Sequence, residues 1–137
     1  MSGNLTISAD IAASGMKVQA ERLKVIAQNM ANAESVSTEK GGEPYRRQVV
    51  SFQNYVDATT GAEMVRVDKI VKDMSQFEKK YAPNHPSADA LGYISLPNVN
   101  PLVEMMDMKE AQRAYDANMN MLKTAREMNA SVLDILK

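Results

Sequence analysis

At both ends of this chain, small and apolar residues return at alternating gaps of three and four; in the long stretch between, they do not. That contrast constrains the fold more than any other feature. From Ser8 to about Asn32 there is no Pro and a single Gly, Gly15. Ala9, Ala13, Met16, Ala20, Leu23, Ala27 and Met30 form a heptad seam, and Ile11, Val18 and Val25 form a second stripe on a neighbouring face. Ser8 or Asp10 is placed to cap the start. A helix of about 25 residues is about 38 Å long at 1.5 Å per residue. From Leu102 onward, with Pro101 suited to the first helical position, the gaps resume through Met108, Ala111, Tyr115, Asn118, Leu122, Ala125, Asn129, Val132 and Leu136. Ala114, Met121, Met128 and Ile135 make its second stripe, along a helix of about 36 residues or about 54 Å. Asn118 and Asn129 stand in the seam, where a buried amide fixes register and partner number; the alternative is an exposed edge.

The middle follows other rules. Glu39–Pro44 is a loop by its Gly and Pro content. Tyr45–Phe52 is rich in β-branched and aromatic residues, and in Glu63–Val71 the valines Val65 and Val67 alternate with Arg66 and Asp68. These two runs are expected to pair as a hairpin across an irregular loop of about ten residues. Tyr81–Gly92 is turn-rich, and Tyr93–Leu96 adds a short strand before Pro97. The expected fold is mainly α with a small β insert. Long N- and C-terminal helices form an antiparallel, coiled-coil-like pair around a central β-hairpin and loop segment. Residues 1–33 and 101–137 make a terminal-helix domain and residues 34–100 the insert.

A pair of helices buries one face of each partner. Two adjacent stripes per helix therefore call for contacts beyond a hairpin within one chain, because a long apolar stripe left in water is an interaction surface or an aggregation hazard. Composition agrees with a chain that has little to bury alone: aromatics are 5%, with no Trp and two Phe, while Met is high at 11. Such a chain, with no disulfide or metal to help it, is expected to be marginally stable and weakly helical until it docks.

Several function classes find no footing. A net charge of −1 with no basic run gives no footprint for nucleic acid or for an anionic membrane surface. No segment approaches the roughly 18 apolar residues of a membrane span, and the first ten residues lack the basic and apolar regions of a cleaved secretory signal. The absence of Cys removes the usual thiolate sites, and the single histidine, His85, lies between prolines in Asn84-His-Pro-Ser-Ala-Asp89 as a turn residue. Carboxylate pairs such as Glu104 with Asp107 sit among Lys and Arg on a helix, where a solvated face is the ordinary reading, and the lone Gly-Gly at Gly41 carries no phosphate-binding pattern. No catalytic, cofactor or metal residue is assigned, and the chain is read as an assembly protein rather than an enzyme.

At this point the residues carry a resemblance. Glu21-Arg-Leu-Lys-Val-Ile-Ala27 followed by Asn29-Met-Ala-Asn32 is similar to the N-terminal signature of the flagellar axial family, which comprises rod, hook and hook-associated proteins. Pro44-Tyr-Arg-Arg47, Tyr81-Ala-Pro-Asn-His-Pro-Ser-Ala-Asp89, Gly92-Tyr-Ile, Pro97-Asn-Val-Asn100, Glu104-Met-Met-Asp-Met108 and Ala111–Asn118 resemble the proximal-rod members. The departures are minor: Ile94 stands where the family often has Val, and the chain ends at Lys137.

The resemblance implies a structural subunit of the basal-body rod. It implies export by the flagellar type III apparatus without a cleaved signal peptide, and assembly around a central channel in a rod crossing the periplasm. It implies torque transmission and continuation of the export channel, with no cofactor. The implied partners are copies of itself, other rod proteins and the adaptor protein joining rod to membrane ring, with neither nucleic acid nor direct membrane insertion. The assembly interface is expected at Ala13, Met16, Ala20, Leu23, Ala27, Met30, Asn29 and Asn32 on the first helix. On the second it is expected at Met108, Ala111, Tyr115, Asn118, Leu122, Ala125, Asn129, Val132 and Leu136. A charge placed at Leu23 or Leu122 is expected to block assembly more severely than any change at His85. Two rivals are a cytosolic helical-hairpin adaptor or export chaperone, and a small hydrolase using His85 and Asp89; location in the cell separates the first, and retained function on His85→Ala the second.

Overall fold

The computed structural model describes residues 2–135. Helix α1 spans Ser2–Ala31, strands β1 and β2 span Gln48–Val56 and Glu63–Lys72, β3 and β4 span Glu78–Tyr81 and Tyr93–Leu96, and helix α2 spans Pro101–Ile135. The fold is thus mainly helical with a small β part in the middle, as the periodicities predict.

α1 starts earlier than Ser8, so neither Ser8 nor Asp10 caps it. The Ser8 hydroxyl instead donates to Asn4 O at 3.0 Å within the helix. Leu5 explains the extra turn: with Asn4 it faces Thr124, Met128 and Val132 of α2 across a groove, and tertiary contact outweighs the modest propensity of Thr6 and Ile7. α2 begins where Pro101 suggests, and Asn100 is its cap: Oδ1 accepts from Leu102 N at 3.0 Å and Val103 N at 3.4 Å. α1 ends at Ala31, and the next residue, Asn32, closes it: its amide donates to Gln28 O at 2.8 Å while its Oδ1 accepts from Ser35 Oγ.

The chain divides into two compact units, each taking part of both helices and part of the insert. The first comprises Met1–Leu23, Val50–Lys69 and Lys109–Lys137. Within it the helices are antiparallel: Gly15 lies against Asn118, and one α1 heptad further on Arg22 pairs with Glu110 at 3.5 Å, about two turns back along α2. A Cβ at Gly15 would stand 2.8 Å from Asn118 Nδ2, so the glycine permits the close approach. Ala12, Val18, Ala111 and Ala125 are buried here.

β1 and β2 are hydrogen-bonded neighbours, and the connection over residues 57–62 is short enough only for an antiparallel hairpin. It is tighter than the expected loop. Asp57 N donates to Ala62 O at 2.9 Å, Asp57 Oδ1 accepts from both Thr59 N and Thr60 N at 2.9 Å, and Gly61 takes the positive φ of 67° that closes the turn. Val65 N donates to Ser14 Oγ at 3.5 Å, tying the hairpin to α1.

The second unit comprises Lys24–Val49 and Ile70–Met108. Strand β3 was not foreseeable from pattern: Glu-Lys-Lys-Tyr has no alternation, and all four residues are exposed. It exists because its backbone pairs antiparallel with β4, from Glu78 opposite Leu96 to Tyr81 opposite Tyr93. The run joining them is a string of turns that Asp89 organises, its Oδ1 accepting from Leu91 N and Tyr93 N at 2.9 Å. Gly92, at φ 81°, is required there because a Cβ would crowd the Tyr81 ring at 3.0 Å.

Candidate functional site

Packing within the chain buries part of one stripe of each helix more deeply than the other, and the choice is opposite on the two. On α1 the buried residues are Ala12, Val18, Val25, Ile26 and Asn29; of the heptad seam, Ala20 and Ala27 are exposed and Ala13, Met16, Leu23 and Met30 half-buried. On α2 the seam turns inward. Ala111 and Ala125 are buried, Met108, Tyr115, Asn118, Leu122, Asn129 and Val132 are half-buried, and Leu136 lies outside the described residues. The second α2 stripe starts at half-buried Ala114 and then turns outward, with Met121 at 59%, Met128 at 54% and Ile135 at 83% exposure. Asn118 is half-buried and donates to Ala114 O at 2.9 Å. Asn129 is half-buried too.

The second unit holds a feature that periodicity does not reveal. Asn29, 1% exposed, has every hydrogen-bonding position filled within the chain. Its Nδ2 donates to Gln48 O at 2.8 Å and to Glu104 Oε2 at 3.1 Å; its Oδ1 accepts from Tyr45 OH and Gln48 N, each at 2.9 Å. Glu104, fully buried, takes Arg47 Nε on its other oxygen at 2.5 Å. The same guanidinium reaches Asp107 at 3.4 Å and Asp73 at 3.6 Å, so one fork faces three carboxylates. Asn98 Oδ1 accepts from Arg47 N at 2.7 Å, and its amide donates to Asp73 O at 2.9 Å and Ser75 Oγ at 2.9 Å. Arg46 donates to Asp73 O and Ser75 O and lies 4.1 Å over the Phe77 ring.

The electrostatics follow from this packing. Burial pushes the Tyr45 phenol above its ordinary value, and the Glu104 charge adds to that. Burial works against the charged form of Arg47, yet the Glu104 hydrogen bond and the charges of Glu104, Asp107 and Asp73 outweigh it and raise its pKa. The Ser75 backbone N–H holds Asp73 below the usual carboxylate range against burial, with Arg47 assisting.

The segments that meet here, Asn29–Asn32, Pro44–Arg47, Pro97–Asn100 and Glu104–Met108, are four of the motifs that carried the family resemblance. Their polar residues are of ordinary surface types and come from distant positions, so only their convergence marks them as a cluster. His85 is a turn residue: its Nδ1 accepts from Ser87 N at 3.2 Å, and Ser87 Oγ donates to Ser37 O. Asp89, the other half of the hydrolase reading, is occupied by the β3–β4 turn. Among the described residues no three His, Asp or Glu side chains gather where they could hold a metal ion, and no helix is long and apolar enough to cross a membrane.

Comparison with known proteins gives one consistent result. The family described as flagellar basal body rod FlgEFG protein C-terminal matches residues 90–135. The flagellar basal-body rod protein FlgC of Agrobacterium fabrum is 43% identical over 133 residues, covering 97% of this chain and 96% of the relative. That of Salmonella typhimurium is 40% identical over 128 residues, covering 92% and 93%. That of Bacillus subtilis is 34% identical over 145 residues, covering 95% and 97%. Similarity over nearly the full length to rod proteins leaves the cytosolic adaptor reading without support.

Proposed function

The chain belongs to the flagellar basal-body rod protein FlgC family, and on that premise we propose that it joins its neighbours in the rod through the outward faces of its two terminal helices. It is a structural subunit of the bacterial flagellar basal-body rod, a role that calls for surfaces rather than an active site. The observation that supports the surface assignment is the exposed stripe of Met121, Met128 and Ile135, repeated every seven residues on a helix whose other stripe is buried or half-buried. Burying one such side chain contributes roughly 1.5–3 kcal/mol. Contacts of that size, repeated head to tail without closing, yield a helical filament.

In this reading residues 1–33 and 101–137 form the inner tube around the export channel, and residues 34–100 lie outside it. Ala20 and Ala27 of α1 are the exposed small residues that let a neighbouring helix approach closely. Asn29 keeps the second unit in one arrangement and meets no neighbour. The subunit assembles with other rod components; the finer proposal adds copies of itself and the adaptor to the membrane ring. It leaves the cell by the flagellar type III route with no cleaved signal peptide, and once assembled it passes torque along the rod.

Half-buried Leu23 and Leu122 serve both the subunit and its surroundings, so a charge at either disturbs the chain itself. The exposed stripe gives the cleaner experiment on the surface, and location tests the role. A tagged chain is expected to co-purify with basal bodies and to resist high-salt extraction from them. Recovery from the cytosolic fraction alone would contradict the proposal.

A further inference from the structure

Met121 and Met128 stand 59% and 54% exposed, one heptad apart, on a stripe that continues to Ile135. The chain has no cysteine, so methionine thioethers are its oxidisable sulfur. Met74 at 78% and Met106 at 65% are more exposed but lie off this stripe, whereas Met64 is half-buried and its sulfur accepts a hydrogen bond from Tyr55 OH at 3.4 Å.

We propose that Met121 and Met128 are modification sites for hydroperoxides, and that their conversion to the sulfoxide bars a free subunit from the rod. This rests on the reading that the outward α2 stripe is an assembly face. A sulfur lone pair attacks one peroxide oxygen, an S–O bond forms and the O–O bond breaks. The departing oxygen takes up the peroxide's proton and leaves as water or an alcohol. The thioether loses two electrons and the peroxide gains them, so no further reagent enters. The product replaces a flexible apolar side chain with a polar one bearing a strong acceptor. Burying that acceptor against a neighbouring helix leaves it without a donor, which disfavours docking by about tenfold or more at each contact. Enzymatic reduction restores the thioether, so the block is reversible in a subunit still free. A subunit already packed into the rod has its stripe covered and is protected.

The test exposes cells that are building flagella to sublethal hydrogen peroxide and measures sulfoxide by peptide mass spectrometry in free and rod-incorporated chains. The free pool should carry the sulfoxide at Met121 and Met128 well ahead of Met64, and these two sulfoxides should be depleted about tenfold or more in rods. A Met121→Leu/Met128→Leu chain keeps the shape and apolarity of the stripe, and rods should continue to form from it under the same peroxide dose. Equal sulfoxide at the two sites in free and incorporated chains would overturn the proposal. An unoxidised Met121→Asp/Met128→Asp chain separates the two levels. Its normal incorporation would remove the assembly-face reading itself, whereas its exclusion alongside free entry of the sulfoxide would remove only the oxidation proposal.

Discussion

Where Gly15 lies against Asn118, the first unit closes its helices on small side chains; where Asn29 meets Glu104, the second closes them on a hydrogen-bonded charge cluster. The two solutions have different consequences. Packing of Ala12, Val18, Ala111 and Ala125 is non-directional and thin, carried by small apolar side chains. The cluster around Glu104 is directional and tolerates one arrangement, because each member would be costly to leave unpaired. The difference lies in how each closes and not in what it exposes, since Met121 and Met128 stand out on the first unit and Met74, Leu91 and Met106 on the second.

The largest effect is expected at Arg47. Arg47→Ala leaves Glu104 buried without its cation and is expected to cost about 3–5 kcal/mol, read as a lower urea midpoint. Arg47→Lys should recover only part, because an ammonium cannot serve Glu104, Asp107 and Asp73 as a fork. Asn29→Ala comes next at about 2–3 kcal/mol, since Tyr45 OH, Gln48 N and Glu104 each lose a partner.

The pH dependence is gentler and has a definite sign. Asp57, Asp73 and Asp89 are held below the ordinary carboxylate value, first of all by backbone N–H groups. Their contribution is fully present above about pH 3.9 and is lost as pH falls through the lower folded-state values. Tyr45 is raised, so its contribution is present below about pH 10 and is lost as pH rises through the folded-state value. Thermal melts should therefore show a plateau between these limits; stability that increases on acidification below pH 4 would contradict the assignment. The smallest effect belongs to Gly15→Ala, where a helix-propensity gain of about 1 kcal/mol is offset by the displaced Asn118. In an Asn118→Ala background the same change should be stabilising, which a double-mutant cycle reads directly.

Both helices were legible because their repeats run unbroken, and the hairpin because Val65 and Val67 alternate with charged residues. The phase was harder to read. Each helix carries two seven-residue repeats, and periodicity alone does not say which one the chain packs: Val18 and Val25 turn inward on α1, whereas Met121 and Met128 turn outward on α2. Strand β3 was hidden because its pairing with β4 resides in the backbone, and no side chain of Glu78–Tyr81 is buried to announce it. Asn29 and Glu104 were hidden for another reason. They are 75 positions apart in sequence, and a buried amide–carboxylate contact leaves no local pattern on either helix.

On the proposed reading the outward α2 stripe serves assembly more than the fold of the subunit. Met121→Asp with Met128→Asp tests it most directly when urea stability and incorporation into basal bodies are measured on the same variant. Stability within about 0.5 kcal/mol of the native chain is expected, as for exposed positions, together with loss of incorporation and motility. A variant that keeps its stability and still builds working rods would contradict it.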